Sequence, residues 1–297
     1  MRIGEAFVGI VVLLLCFRSG SECTDFSLSK VFKKNISTVC DSIIGELKED
    51  ICAGLGLDIS TSEIFWEKDS NTPHLVASLT KLMVTLIVME KIETGELKFS
   101  DIITVTSEAT EMIGAQLYFQ VGDQFYLDEL LKAIMIYSAN DATYLVAQYI
   151  GGTEENFVSM MNAKARSMGL RETYFSNSPG LPPLRNKSWA HNVSSCIDMA
   201  YIALKVIEYP EVMEWASTAV DYIRNGELVL RSWNKLLREC AFVDGLKTGY
   251  YKRAGYNIVA TSTQGNKKIM AIVLGAKSAK IRNKVARILI EYGLYNP

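Results

Sequence analysis

The chain is 297 residues long, 49% hydrophobic and 22% charged, with a formal net charge of −2. That composition suits a globular protein with a large core, and no lysine/arginine run is long enough to follow a phosphate backbone, so nucleic acid is not an expected partner. Two histidines, His74 and His191, leave little from which to build a serine-histidine-carboxylate triad or a multi-histidine metal site, so proton transfer falls to lysine or carboxylate.

The N-terminus reads as an address. "MRIGEA" carries Arg2, "FVGIVVLLLCF" supplies an apolar run, and Ser19, Gly20 and Ser21 follow. The run is short for a membrane span, so residues 1–21 are expected to be a signal peptide cleaved near Ser21, with an uncleaved anchor as the alternative. The mature chain would be exported, to the periplasm or the outer face of the cytoplasmic membrane. Arg2, Arg18 and Glu5 leave with the segment, taking the net charge from −2 to −3. Cys16 leaves too. The remaining Cys23, Cys40, Cys52, Cys196 and Cys240 are odd in number and lack C-x-x-C spacing; they read as small buried hydrophobes, and neither a metal, a cofactor nor a disulfide is expected.

Residues 22–47 are expected to form a helical extension, with Leu28, Phe32, Ile36, Val39, Ile43 and Leu47 as its apolar stripe. "ICAGLGLDISTSEIFWEK" reads as two strands around a serine/threonine turn, followed by the buried helix "VASLTKLMVTLIVMEK". Residues 94–128 look like an irregular insertion. "LDELLKAIMIYS", "NDATYLVAQYIGG" and "EENFVSMMNAKARSMGL" are helical, the last two closed by glycine. "AGYNIVATSTQGNKKIMAIVLGA" is a pair of strands around Gln264-Gly265-Asn266, and "AKIRNKVARILIEYG" is a last helix. Strands at both ends with helices between, and no linker or repeat, give one α/β domain.

The buried helix opens with Ser78 and Lys81, three residues apart and so on one helical face, where hydroxyl and amine can touch. A buried lysine is costly unless it is used. The S-x-x-K pattern alone is weak, since Ser27/Lys30 and Ser232/Lys235 repeat it. What separates Ser78 is its place at a helix N-terminus, where free amides and the positive dipole end favour an oxyanion. Further on come Ser138 and Asn140 in "YSANDA" and Lys247, Thr248 and Gly249 in "VDGLKTGY". The order S-x-x-K, S-x-N, K-T-G is the signal.

From about residue 48 onward the chain resembles the penicillin-recognising serine enzymes, specifically the low-molecular-mass D-alanyl-D-alanine carboxypeptidases. "LDISTSEIFWEKDSNTPHLVASLTKLM", "YSANDA", "TYFSNSPGL", "HNVSSCIDMA" and "VDGLKTGY" match that family's blocks in order. The resemblance implies a β-lactamase/transpeptidase-like α/β fold, an antiparallel sheet flanked by helices with a mostly helical insertion, over a single catalytic domain, 48–297. It implies that Ser78 attacks the carbonyl of the penultimate D-alanine of a peptidoglycan stem peptide ending in D-Ala-D-Ala. Lys81, desolvated and near Lys247, would be the general base, and Ser138 would pass a proton to the leaving D-alanine. Asn140 would hold the substrate amide, and Lys247 with Thr248 the terminal carboxylate. Gly249 would let the substrate strand lie close, and the N–H groups of Ser78 and Tyr250 would form the oxyanion hole. β-Lactam antibiotics would bind covalently.

Arg282 matches an arginine near the family's carboxylate pocket, with a solvated helix residue as the alternative. Asn177 and Gly180 match a loop flanking the site, with a plain turn as the alternative. His191 reads as structural. Two departures are visible: many members continue into a β-rich domain ending in an amphipathic anchor helix, which is not expected here, and Trp233 stands where some relatives have a small or basic residue. Rival readings are a serine β-lactamase and a non-catalytic cell-wall-peptide binder. The first lacks its E-x-x-L-N glutamate, Glu172 being the nearest, and the second has lost no motif residue to support it.

Overall fold

The computed structural model describes residues 38–184 and 187–295. The expected signal peptide 1–21, and residues 22–37 of the expected helical extension, lie outside them.

The described chain begins with α1 (Thr38–Ile44), continued by a 3₁₀ turn Gly45–Asp50. Its buried residues are Cys40 and Ile44, while Ile43 is 54% exposed. The expected stripe through Ile43 is therefore corrected by one position. Gly45, at φ 51°, ends the α-helix, and Leu47 packs against the same apolar cluster as Cys40 and Ile44 from the 3₁₀ turn that follows. The strands β1 (Ala53–Asp58) and β2 (Glu63–Lys68) follow as expected, joined by Ile59–Ser62. β3 (His74–Leu75) leads into a 3₁₀ turn Ala77–Thr80 and then α2 (Lys81–Glu93). From Lys81 to Met89 every residue of α2 is buried.

The stretch expected to be irregular contains a strand pair, β4 (Ile102–Thr104) with β5 (Gln124–Tyr126), and a short helix α3 (Ser107–Thr110). Three-residue strands are too short to show a period in sequence. α4 (Leu127–Lys132) widens into a π turn Ala133–Tyr137 and stops at Ser138, which is left-handed at φ 67°. α5 (Asn140–Gly151) and α6 (Glu154–Ser167) then run as expected; Gly152 and Gly169, just past their ends, have positive φ. β6 (Val193–Ser194) pairs with β3, and Ser195 caps α7 (Cys196–Val206) by accepting from the Asp198 N–H at 3.1 Å. α8 (Pro210–Ser217), the pair β7 (Val220–Ile223) and β8 (Leu228–Arg231), and α9 (Leu236–Glu239) lead to β9 (Gly245–Tyr251). The chain closes with β10 (Gly255–Gln264), β11 (Lys267–Ala276) and α10 (Ala279–Tyr295).

The main sheet is antiparallel in the order β2-β1-β11-β10-β9. The period-two pattern of β11 explains why it sits at the centre. Met270, Ile272 and Leu274 face the block formed by α2 and the middle helices, while Ile269, Ala271 and Val273 face α10. Both faces are therefore covered, and each fully buried aliphatic side chain contributes about 1.5–3 kcal/mol. β1 solves the same problem with Gly54 and Gly56, whose α10-side faces are occupied by the Trp66 and Phe65 rings. β9 is an edge strand, and its second edge turns toward the Ala77–Thr80 turn. A Cβ on Gly249 would lie 2.8 Å from the Val76 carbonyl oxygen and 3.0 Å from the Ser78 nitrogen. Sheet edge and nucleophile turn thus form the two walls of one cleft.

Candidate active site

Ser78 sits in the 3₁₀ turn that opens α2, half-buried, directly after Ala77. Ala77 is left-handed at φ 49°, a conformation that costs a non-glycine residue free energy and persists only where the surroundings enforce it. The enforcing contact is visible. Gly180 (φ 79°) packs on the Ala77 carbonyl so closely that a Cβ there would collide with it. The loop carrying Gly180 is held in turn by Asn177, whose Oδ1 accepts from the N–H groups of Gly180 (2.8 Å) and Leu181 (2.9 Å). Asn177 and Gly180 therefore flank the site and shape the nucleophile's turn.

Lys81 is fully buried, and its Nζ lies 3.1 Å from Ser78 Oγ, 2.7 Å from Asn140 Oδ1 and 2.6 Å from the Pro179 carbonyl oxygen. The Asn140 amide is oriented by its other end, because Nδ2 donates to the Ile113 carbonyl at 2.6 Å and a carbonyl can only accept. Asn140 Oδ1 and Pro179 O are then both acceptors. A protonated Lys81 donates to all three oxygens, Ser78 Oγ among them; when it loses a proton, its two remaining N–H groups stay on the two carbonyl-type oxygens and its lone pair faces the Ser78 hydroxyl, whose O–H then donates to it. Burial pushes the Lys81 pKa well below its usual value, the charge of Lys247 pushes the same way, and Asp141 opposes both.

Ser138, at the left-handed end of the π turn, is buried beside Ala139, whose N–H donates to the Ala133 carbonyl at 3.0 Å. Its hydroxyl stands outside the three contacts of Lys81. Asn140 heads α5, and its backbone N–H donates to Ala115 O at 2.7 Å. Next to it, Asp141 accepts from the N–H groups of Leu117 (2.7 Å) and Tyr118 (3.0 Å), and burial raises its pKa.

On the opposite wall, Lys247 and Thr248 are buried. Lys247 Nζ donates to the Thr248 carbonyl at 3.3 Å. Its pKa falls to about 7, chiefly from burial and then from the Arg282 charge. Arg282 is buried on α10, its Nε and Nη2 both donating to Asn283 Oδ1 at 2.9 and 2.8 Å, and burial lowers its own pKa to about 10. The alternative of a solvated helix residue is thereby overturned. Tyr250 is 52% exposed, and its ring stacks on that of Tyr256 with centres 4.1 Å apart.

The structure therefore brings Ser78, Lys81 and Asn140 into one bonded cluster, sets Gly249 against the Ser78 amide, and stacks Lys247 and Arg282 as successive positive charges behind it. Sequence reasoning missed three supports. Pro179 supplies a carbonyl to Lys81. Asn192 donates from Nδ2 to Thr80 Oγ1 (3.0 Å) and to Asn177 O (2.8 Å), and it accepts at Oδ1 from the Ser176 N–H (2.8 Å). Asp141 anchors the loop at Leu117–Tyr118. Asn192 and Asp141 lie inside blocks already singled out, "HNVSSCIDMA" and "YSANDA", but nothing in a block distinguishes a supporting amide from a turn former. Glu172 sits beside Asp198, to whose carboxylate its N–H donates at 2.9 Å. Trp233 is 57% exposed, and its indole donates to the Tyr137 carbonyl at 2.9 Å, one residue before Ser138. Among the described residues no group of three or more histidine, cysteine, aspartate or glutamate side chains could hold a metal, and no helix is long and apolar enough to cross a membrane.

A family profile described as D-alanyl-D-alanine carboxypeptidase matches residues 52–278. The chain is 33% identical over 250 residues to D-alanyl-D-alanine carboxypeptidase DacF of Bacillus subtilis, covering 83% of this chain and 63% of DacF. It thus spans somewhat under two thirds of that relative's length. Among solved structures it is similar to penicillin-binding protein D2 from Listeria monocytogenes in its ampicillin-bound form, with a TM-score of 0.74 and 29% identity over 82% of this chain and 97% of that one. Penicillin-binding protein 6B from Escherichia coli gives a TM-score of 0.76 at 30% identity, covering 83% of this chain and 78% of that one.

Proposed function

Because the chain belongs to the D-alanyl-D-alanine carboxypeptidase family, we propose that it is a serine-type carboxypeptidase that removes the terminal D-alanine from peptidoglycan stem peptides, and that β-lactams acylate the same serine. The observation that carries this reading is the hydrogen-bond set of Lys81. Two oxygens that can only accept leave the amine's lone pair directed at Ser78 Oγ, 3.1 Å away, which is the arrangement a general base requires.

Ser78 Oγ attacks the carbonyl of the penultimate D-alanine while its proton passes to Lys81. The oxyanion forms beside the Ser78 N–H, with the Tyr250 N–H as the second donor. Collapse breaks the peptide bond, and the leaving amine takes a proton from Ser138, which recovers one from the protonated Lys81. Water then adds to the acyl-Ser78 ester and releases the shortened peptide. Lys247 and Thr248 hold the terminal carboxylate, with Arg282 adding positive charge from behind. Asn140 has two tasks here, fixing Lys81 through Oδ1 and presenting its amide toward the substrate's own amide. The substrate lies in the cell wall, so the protein works outside the cytoplasm, in keeping with the apolar N-terminal segment.

The test is intact-mass spectrometry of the protein mixed with benzylpenicillin and followed in time, beside a D-alanine release assay on a peptide ending in D-Ala-D-Ala. A persistent penicilloyl adduct mapping to Ser78, together with D-alanine release, is the expected result. An adduct that clears within seconds while antibiotic is consumed would move the assignment to a β-lactamase. Correctly folded protein that forms no adduct and releases no D-alanine would reduce it to a binding protein.

A further inference from the structure

Trp233 is exposed yet fixed in place. Its indole Nε1 donates to the Tyr137 carbonyl at 2.9 Å, and its ring lies against that of Tyr137 with centres 6.1 Å apart. Tyr137 ends the π turn, so the residue that follows it is Ser138. Next to Trp233, Asn234 is buried; its Nδ2 donates to the Gly245 carbonyl at 3.0 Å, and its Oδ1 accepts from the Leu236 N–H at 3.2 Å. Gly245 opens β9, two residues before Lys247. Trp233 and Asn234, adjacent in the connection from β8 to α9, therefore tie the wall that carries Ser138 and Asn140 to the strand that carries K-T-G. The crossing lies at the end of the cleft where β9 begins.

Which part of the substrate meets this crossing follows from the proposed function, on which the inference rests. The scissile carbonyl lies between the Ser78 and Tyr250 N–H groups, and the terminal carboxylate lies at Lys247 and Thr248. Along β9 the C-terminus of the peptide thus points away from Tyr250 and toward Gly245. Two strand residues at about 3.3 Å each place the crossing about 7 Å beyond Lys247.

We propose that Trp233 is the end wall of the leaving-residue subsite and that it selects a small terminal D-amino acid, such as D-alanine, over a bulky one. A methyl side chain stays short of the indole, whereas an isobutyl side chain reaches it. Trp233 can withdraw only by giving up both its hydrogen bond to Tyr137 and its ring contact, so the wall resists being pushed aside. The carboxylate contacts are common to all such substrates, which leaves the side chain of the last residue as the feature the wall reads.

Two fluorophore-labelled peptides that differ only in the last residue test this, one ending in D-Ala-D-Ala and one in D-Ala-D-Leu. Turnover is read as release of the terminal amino acid, and binding by anisotropy in a Ser78→Ala background. The native protein should favour the D-alanine peptide by at least about 10-fold in kcat/KM, the discrimination a closed pocket can make against added methylenes. In Trp233→Ala the release of D-leucine should rise and the preference should fall to about 3-fold or less as the pocket opens. Trp233→Phe, which keeps a ring against Tyr137 without the N–H, should lie between the two. A native preference near one, or a preference that Trp233→Ala retains, would overturn the wall. That second result would include slower turnover of both peptides alike, the mark of a brace for the Ser138 turn. No binding of either peptide would overturn it as well. Failure of the native protein to release either residue, with a binding preference for the D-alanine peptide that Trp233→Ala removes, would count against the proposed hydrolysis and leave the wall standing.

Discussion

Ser78→Ala is expected to lower D-alanine release by at least about 10⁴-fold and to abolish the penicilloyl adduct, while peptide binding survives. The size follows from what the substitution removes. Nucleophile and base act as a unit, and deleting the nucleophile leaves only oxyanion stabilisation and binding, as in other serine hydrolases. The Ser78 N–H, and with it the proposed oxyanion donor, remains. So does the rest of the site, because Lys81 keeps its contacts to Asn140 and Pro179 at 2.7 and 2.6 Å. A half-buried serine replaced by a smaller residue in a 3₁₀ turn leaves no large cavity, so the melting temperature should stay close to the native value. Residual turnover within tenfold of native would mean that another group attacks, and Ser138 would be the first to examine. Loss of binding together with turnover would mean the turn itself had changed.

How much of this was legible in the sequence depends on distance along the chain. Ser78 and Lys81 were readable because three residues make one helical turn, and the buried run around them is unambiguous. β1, β2, β10 and β11 were readable because each carries its own period. The K-T-G segment was readable as a β-rich run, and its place at the cleft came only through the resemblance. The pairing of β4 with β5 was not readable, because neither strand is long enough to have a pattern, and neither was the one-position shift of the α1 stripe to Cys40 and Ile44. Arg282 could not be separated from a surface arginine, since its burial is created by the packing of α10 against β10 and β11, which no local pattern reveals. The largest gap concerns Asn140. In sequence it was assigned to the substrate; in the structure its oxygen is the group that, with Pro179, orients Lys81. A backbone carbonyl such as that of Pro179 leaves no trace in residue identity at all, so the part of the site that turns a lysine into a base was invisible until the loop at Asn177–Leu181 was seen packed on Ala77.

Lys81→Arg is expected to slow acylation of Ser78 by about 10³–10⁴-fold, the usual contribution of a positioned general base. Arginine fills a similar volume but does not deprotonate in the accessible range, so it places a fixed charge where the productive state has a neutral amine and removes proton transfer without opening a cavity. Alanine would be a poorer probe, because it leaves Asn140 Oδ1 and Pro179 O buried without their donor at about 1–3 kcal/mol each. The pH profile follows from the same groups. Lys81 is active only when neutral, and burial with the Lys247 charge moves its pKa down, so kcat/KM rises with pH through that lowered value. Lys247 captures the carboxylate only when charged. In the free protein its pKa is about 7, so it is protonated below that pH and loses its charge above it, giving kcat/KM a falling limb that begins near neutrality. Each lysine disfavours the other's charge, so the productive state has one proton between the two, on Lys247 rather than on Lys81, and the two limbs belong to the pair. Lys247→Arg should therefore preserve the rising limb and push the falling limb to higher pH, whereas Lys81→Arg should flatten the rising limb along with the rate. A falling limb unmoved by Lys247→Arg would assign it to another group and remove Lys247 from carboxylate capture.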